Sequence, residues 1–573
     1  MRMTQCVLVA VAALGVALAE TGREPLRAQM AEVVALTGQV TSAEEGAMEG
    51  VLVSARKAGS TITTTVVTDA QGRYRFPRTR LEPGQYALRI RATGYDLASP
   101  TSTAVTAGHS ASADLALKKT ADLAAQLTNA EWIMSFPGTD QQKLSVHGCA
   151  HCHTLERVVR SRYDAEKWLA VVQRMGQYTT QSFPLKIQKQ LGGQRQGMGP
   201  QTAEGQTQLT ANRRRLADYL ATVNLSSGPK WSYELKTFPR PKGKATQVIY
   251  TEYDLPARTH QPHDVVVDQD GFAWYASFGD AVLGKIDPRN GKVTLYDVPV
   301  PNPDTVIGTN DLEFDEDGNL WLATMFQGAL IRFDRKTEKF TVFNSYPPPP
   351  EGLHREFTFT SPQHSKVDGK VWANDSATWT QWRLDIATGT WEVFELFPLP
   401  RTNTYQIFSD AQNNLYVNNM GRAHIGRIDA KTGKAQLWQT PTPNSGPRRG
   451  MLDDKGRLWY AGNRGNVVGM FDTRTEQFKE WVPPNPRYFP YSVAIDRNDH
   501  LWVTTEFADS TLRLDTRTGE FIEYPMPRFT NGRRTWVDDR TTPVAFWVGG
   551  NHSASVVKVE ALDTPPSLAS GSR

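Results

Sequence analysis

The sequence predicts a multidomain, mainly β protein: a small β-sandwich, then a compact all-α domain, then a seven-bladed β-propeller. Three observations carry that prediction. Residues 34–119 show short alternating apolar runs between turn residues, residues 120–228 show helical patterns around a C-x-x-C-H motif, and residues 244–562 repeat an aromatic–acid pair at one fixed offset. Composition agrees, because 44 glycines, 35 prolines and 15 tryptophans favour turn-rich β structure over helical bundles. The net charge of +4 is small against 64 basic and 60 acidic residues, and no basic tract stands out, which argues against a nucleic-acid partner. Three cysteines, Cys6, Cys149 and Cys152, exclude a disulfide-stapled architecture.

The first segment, 1–19, reads as a signal peptide. Arg2 precedes the unbroken apolar run Val7–Ala19, which ends in an A-x-A exit. The run falls short of the roughly 20 residues needed to span hydrocarbon. The expectation is export to the periplasm or beyond with cleavage near Ala19, and no transmembrane segment in the mature chain. Cys6 would leave with the signal.

Within 34–119, strands are expected at Ala35–Val40, Val51–Arg56, Thr61–Thr68, Arg73–Phe76 and Gln85–Ala92, separated by turns such as Asp69–Gly72 and Pro83-Gly84. Strands of this length and spacing favour a sandwich. The stretches VTDAQGRYRF (Val67–Phe76) and PGQYALRIRATGY (Pro83–Tyr95) resemble the carboxypeptidase regulatory-like family. That resemblance implies an accessory module without catalytic residues.

The region 120–228 carries the sharpest motif, Cys149-Ala150-His151-Cys152-His153. Two thiols three positions apart on a helical turn can add to both vinyl groups of a haem, and the next histidine places an imidazole under the iron. A redox dithiol does not require the trailing histidine, and a zinc shell has no second cysteine pair to complete it. The expectation is one covalent haem c, held by Cys149 and Cys152 with His153 as axial ligand. Gln141–His147 leads helically into the motif, capped by Thr139 or Asp140. Asp164 caps a helix with Trp168, Val171, Val172 and Met175 at i, i+3, i+4 and i+7, and Ala211–Val223 repeats the pattern with Leu216, Tyr219, Leu220 and Val223. This three-helix order resembles a small class I-like cytochrome c, and CAHCHTLERVVRSRYDAEKWLAVVQRM resembles compact monohaem cytochromes. The resemblance implies a methionine as sixth iron ligand, Met175 or alternatively Met198 in the Gly197–Pro200 loop.

After a linker at 229–243, aromatic anchors recur at Trp274, Trp321, Trp372, Tyr416, Trp459, Trp502 and Trp547. Acids recur at Asp287, Asp334, Asp385, Asp429, Asp472, Asp515 and Glu560, thirteen residues on in every case. Such an offset marks structural repeats, and four short strands fit each period, the unit of a propeller blade. The seventh repeat lacks its outer strand, and Thr246–Leu255 supplies one ahead of the first repeat, so the N-terminal strand is expected to close the ring. Residues 563–573 are a tail. Repeat one, QPHDVVVDQDGFAWYASFGDAVLGKIDPRNGKVTLYDVPVP (Gln261–Pro301), resembles the virginiamycin B lyase (streptogramin lyase) propellers.

That family implies a catalytic histidine, here His263, acting in elimination beside a glutamate and a bound magnesium. Gln261 stands where the glutamate belongs, and an amide cannot supply a carboxylate's charge to a divalent metal. The equivalent positions in the other repeats are Asn310, Ser361, Tyr405, Arg448, Tyr491 and Trp536. Carboxylates near the inner strands include Asp375 and Glu506. His263, Asn310, Tyr405, Arg448 and Tyr491 are expected to form a ligand funnel at one mouth of the propeller axis. Arg448 or Arg449 could there meet an anionic group or a haem propionate. The leading reading is an exported monohaem c-type cytochrome carrying single electrons, whose propeller binds a small-molecule substrate or docks a redox partner protein. A lyase with an accessory haem domain and a non-catalytic haem-containing sensor are the alternatives.

Overall fold

A computed structural model describes residues 34–190, 203–226, 228, 230–345, 355–397 and 403–562. The expected signal segment, the 563–573 tail and Met198 lie outside them. Among the described residues no helix is long and apolar enough to cross a membrane.

The propeller is built of seven four-stranded antiparallel blades, six of them separate sheets and the seventh part of a larger one. The inner strands of blades one to seven are Pro262–Val267, Asp311–Phe314, Phe357–Ser361, Thr404–Ser409, Pro447–Leu452, Pro490–Ile495 and Gly532–Asp538. The first packs against both the second and the seventh, so the ring is closed. Each aromatic anchor sits on the second strand of its blade, and each aspartate of the series ends or directly follows the third, while Glu560 is the last but one residue of its strand. The thirteen-residue offset is the length of that hairpin. Asp334, Asp429, Asp472 and Asp515 each accept backbone N–H groups of the following turn, which links the third strand to the fourth. A second aspartate, six residues before the anchor, takes the indole N–H. Asp268, Asp315, Asp453 and Asp496 bind Trp274, Trp321, Trp459 and Trp502 at 2.8, 2.9, 3.0 and 2.9 Å, while also accepting two turn amides each. Glycine is needed where a tyrosine ring crosses the third strand: a Cβ at Gly469 would lie 2.1 Å from the Tyr460 ring.

Blade seven takes its outer strand, Val248–Asp254, from ahead of the first repeat, in register with Ser555–Ala561. The other edge of this strand is also paired, against Ile62–Val67 of the N-terminal domain. One continuous sheet of eight strands therefore runs from the propeller axis through Leu52–Lys57 and Gly84–Arg91 to Ser102–Val105. The second sheet of the sandwich is organised on Val34–Ser42, which pairs with Arg73–Pro77, Leu115–Lys119 and two short strands. Leu36, Val53, Tyr74, Phe76 and Leu88 fill the space between the sheets, and Ile249 of the propeller strand joins them. The expected strands are all found, with Tyr95–Ser99, Ser102–Val105 and Leu115–Lys119 in addition.

The middle segment is helical and short-elemented. Asn129–Ser135 begins at a Thr128/Glu131 capping box, and Asp140–Leu144 at a second one from Thr139 and Gln142, so Thr139 rather than Asp140 is the cap. A 3₁₀ turn, His147–His151, follows, then Leu155–Val159, Ala165–Met175 capped by Asp164, and Ala203–Val223. The last helix begins eight residues before the expected start. Trp132, Val146, Leu155, Val159, Trp168 and Leu220 form a core continuous with Phe489, Val503 and Phe507 of blades five and six. The stretch expected to be a linker is packed rather than loose: Trp231, Tyr233, Leu235 and Phe238 lie against this core, and Arg240 binds Glu45 of the sandwich at 2.5 Å.

Candidate functional site

The inner strands of six blades begin with a register shift, the exception being blade two. A bulge turns two consecutive side chains to the same side, where a regular strand would send them to opposite faces. Hence His263-Asp264, Arg448-Arg449 and Arg533-Arg534 all reach the propeller axis, at two levels.

The level facing the mouth holds the expected funnel. His263, Asn310, Tyr405, Arg448 and Tyr491 all line one cavity of about 480 Å³, with Phe278 and Arg533 beside them. That volume is within the range of small-molecule sites. Tyr405 and Tyr491 share a hydroxyl–hydroxyl hydrogen bond of 2.9 Å, and the Tyr491 oxygen lies 3.0 Å from His263 Nε2. His263 Nδ1 is 2.8 Å from Asp264 Oδ1, and its ring stacks on Phe278. Both imidazole nitrogens are thus engaged. Burial holds the ring neutral, pushing its pKa down to about 4 against the opposing pull of Asp264. Arg448 lies over the Tyr491 ring, 4.1 Å from its centroid, and binds Glu506 Oε2 at 2.7 Å. Arg533 binds Glu506 Oε1 at 2.6 Å. Burial works to raise Glu506, and the two guanidiniums overturn it, holding the carboxyl far below the usual range.

The second level is sealed. Arg449, fully buried, grips Asp264 through both terminal nitrogens at 2.5 and 2.9 Å and reaches Asp311 at 2.5 Å. Arg534 binds Glu313 at 2.7 Å and the Leu312 carbonyl. These bonds tie blades one, two, five and seven together across the axis. Asp264 is held ionised by Arg449 despite its burial, whereas burial outweighs Arg449 at Asp311 and pushes that carboxyl well above the usual range. Arg449 is therefore a girder of the ring and does not face the cavity. Asp375 is likewise spent, accepting the Glu356 and Ala377 amides.

The cavity's other wall comes from the middle segment: His151, Val172, Gly176, Tyr178, Leu209 and Arg213. The turn bearing the C-x-x-C-H motif is docked on the mouth. His552 Nε2 lies 2.9 Å from the His151 carbonyl oxygen, and His147 and His151 stand 3.8 and 3.7 Å from the two oxygens of Glu506. A strap, residues 177–190, crosses blades one and two: Gln188 donates to the Gly279 and Ile307 carbonyls and accepts from Ile307 N–H. Gln261 is buried and donates to the Gln181 carbonyl at 3.2 Å. Its side chain holds the strap.

Cys149 and Cys152 are unbridged and half-buried, and burial pushes their thiols up to about 12 and about 11. His153 Nδ1 lies 3.0 Å from the Thr154 carbonyl oxygen, which fixes the Nδ1–H tautomer and leaves Nε2 a lone pair. These residues fit a covalent haem with imidazole ligation. Met175 ends its helix with 39% of its surface exposed. Neither it nor His153 lines the mouth cavity. Sequence reasoning missed Asp264, Arg533 and Arg534 and offered Arg449 to the mouth, because alignment of one position per blade assumes a strict two-residue alternation; it missed His147 and His151 because they lie outside the repeats.

Residues 35–118 match the carboxypeptidase regulatory-like domain family. No curated protein matches the chain. Among solved structures, a streptogramin B lyase is similar at 20% identity over 56% of this chain and 99% of its own, with a TM-score of 0.47. The virginiamycin B lyase of Staphylococcus aureus is similar at 21% identity over 55% and 99%, again with a TM-score of 0.47. The extracellular domain of a B. thetaiotaomicron one-component system is similar at 16% identity over 53% and 42%, with a TM-score of 0.39. At these values the propeller rests on its own strand pairing. The chain joins a carboxypeptidase regulatory-like sandwich, a helical segment with a C-x-x-C-H turn, and a closed seven-bladed propeller.

Proposed function

We propose that this is an exported monohaem c-type cytochrome whose haem-bearing turn exchanges single electrons with a molecule seated in the propeller mouth, making the chain an oxidoreductase. The observation that carries the reading is the docking of that turn: His151, between Cys149 and Cys152, forms part of the cavity wall shared with Tyr405, Tyr491 and Arg448. Cys149 and Cys152 would hold the haem and His153 would ligate its iron, with Met175 or Met198 as the candidate second ligand. Haem bound there supplies one-electron redox chemistry. The chain's own contribution is positional. The continuous core through Trp132, Val146 and Phe507 fixes the turn against the mouth, and the Thr154 carbonyl orients His153. The Tyr405–Tyr491–His263–Asp264 chain gives a ligand hydroxyl a hydrogen-bonded route for a proton. The leader-like Met1–Ala19 fits export, where haem c is attached.

The test is expression in a host with c-type haem maturation. A reduced-minus-oxidised spectrum with a sharp α-band is expected, and the pigment should stay with the polypeptide through denaturation and acidic solvent extraction. Cys149→Ala/Cys152→Ala should release it. Pigment extracted completely from the wild type, or none incorporated, would refute the reading.

A further inference from the structure

The mouth of the propeller carries an unbalanced positive charge. Arg448 and Arg533 are both more than nine-tenths buried, both line the cavity, and both lean on the single carboxylate of Glu506. Each spends Nη1 on it, and the Nε of each is buried with no hydrogen-bond partner. Arg464 stands close enough to Arg448 for their charges to repel, and no carboxylate pairs with it among the described residues. Four guanidiniums, Arg448, Arg533, Arg464 and Arg213, thus stand against two carboxylates, Glu506 behind the wall and Glu356 in it. At the sealed level Asp264, Asp311 and Glu313 stand against Arg449 and Arg534, but burial pushes Asp311 well above the usual carboxylate range and raises Glu313, so that level has little negative charge to spare for the mouth. The charge facing the cavity is therefore not cancelled from beneath.

The same wall offers a competing chemistry. The ligand atoms of His147, His151 and Glu506 lie within 4.8 Å of one another, a spacing open to a cation. Charge decides between them. Glu506 Oε2 already accepts from Arg448 and from Asn463 Nδ2, and Oε1 from Arg533. A divalent ion there would meet three guanidiniums across one neutralised carboxylate, in a water-poor cleft where like charges repel strongly. An anion meets the same groups favourably.

We infer that Arg448 and Arg533, braced by Glu506, form a carboxylate-binding site in the mouth cavity. Guanidinium forks match a carboxylate in pairs of parallel hydrogen bonds, and the aromatic and aliphatic lining of Phe278, Tyr405, Tyr491, Val172 and Leu209 suits an apolar body behind it. The inference rests on the proposed role of the cavity as the ligand site. The carboxylate has two sources with one chemistry, a free aromatic or aliphatic carboxylic acid and a propionate of the haem attached to the neighbouring turn.

The experiment uses the full-length haem-loaded protein. Calorimetric titration compares benzoate, benzyl alcohol, benzylamine and Zn²⁺, and redox titration follows the haem. If the source is a free acid, benzoate binds one per chain and benzyl alcohol binds about tenfold or more weaker, the effect of losing a charge-assisted pair. Arg448→Gln or Arg533→Gln then weakens benzoate by a similar factor and leaves benzyl alcohol unchanged. If the source is the haem itself, benzoate gives no heat, and the same substitutions move the midpoint potential and flatten its pH dependence. The comparison of benzoate with benzyl alcohol on the wild type needs no variant to fold. Equal binding of the two, with no effect of either substitution, overturns the carboxylate site while leaving the cavity a ligand site. One-to-one binding of Zn²⁺ or preference for benzylamine overturns it in favour of a cation. Failure of every probe together with an unmoved potential overturns the ligand cavity as well.

Discussion

Acidification should destabilise the propeller through His263 by an amount that can be worked from its surroundings. In the unfolded chain the imidazole titrates near 6.5, whereas burial pushes the folded value down to about 4. Between these values the unfolded state binds a proton that the folded state refuses, so stability falls as pH drops through 6.5 and levels off below about 4. Linkage gives a loss of about 2 kcal/mol at pH 5 relative to pH 8, rising toward roughly 3 at the acid limit. Asp264 does not contribute in this window, because Arg449 holds it ionised throughout. Urea denaturation followed by tryptophan fluorescence at pH 8 and pH 5 measures the effect in the wild type and in His263→Gln. The substitution lowers stability at both pH values by removing the Tyr491 and Asp264 partners. The fall between pH 8 and pH 5 should also shrink by about 2 kcal/mol. Identical pH dependence in the two proteins would refute the reasoning, as would an NMR titration of the His263 ring centred near 6.5.

Other outcomes follow from the repeat and from the ring's closure. Asp453→Ala removes the acceptor of the Trp459 indole and of two turn amides and should cost about 3 kcal/mol in urea denaturation, against under about 1 kcal/mol for Asp454→Ala on the neighbouring residue. Gly469→Ala drives a methyl group into the Tyr460 ring and should lower stability by about 1–3 kcal/mol, with partial recovery in Gly469→Ala/Tyr460→Leu because the ring carbons that meet the methyl group are gone. Thr251→Pro breaks a strand paired on both edges, and limited proteolysis should then cut between sandwich and propeller, where the wild type resists. Thiol titration of the haem-loaded, processed protein should find no free thiol even after denaturation.

The blades were legible in the sequence because each Trp–Asp pair is fixed by one hairpin, and a hairpin is local. Trp274 and Asp287 must stand thirteen residues apart wherever the blade stands. The ring closure was legible too, since a missing outer strand at Glu560 had one unclaimed counterpart at Thr246–Leu255. The funnel was half legible: Tyr405, Arg448 and Tyr491 occupy equivalent places in successive repeats. Asp264 and Arg533 were not legible, nor was the sealed place of Arg449, because a bulge changes which face a residue takes without changing its identity. The ion pairs of Arg449 span 185 and 138 residues, and no local pattern encodes them. The pairing of Val248–Asp254 with the sandwich was hidden for the same reason, as a strand's sequence does not announce how many partners it has.

That doubly paired strand bears on how the C-x-x-C-H turn stays at the mouth. The helical segment leaves the sandwich after Lys119 and re-enters at Val248, on a strand bonded to the sandwich itself. It is therefore a closed loop of more than a hundred residues, tied at its two ends to the two sheets of the sandwich. Much of the entropy of bringing turn and mouth together is spent when the sandwich forms and pairs with the propeller strand, so the loop meets the propeller at a high effective concentration. The shared core and the His552–His151 bond then hold the C-x-x-C-H turn in place at a lower entropic cost than a freely tethered domain would meet.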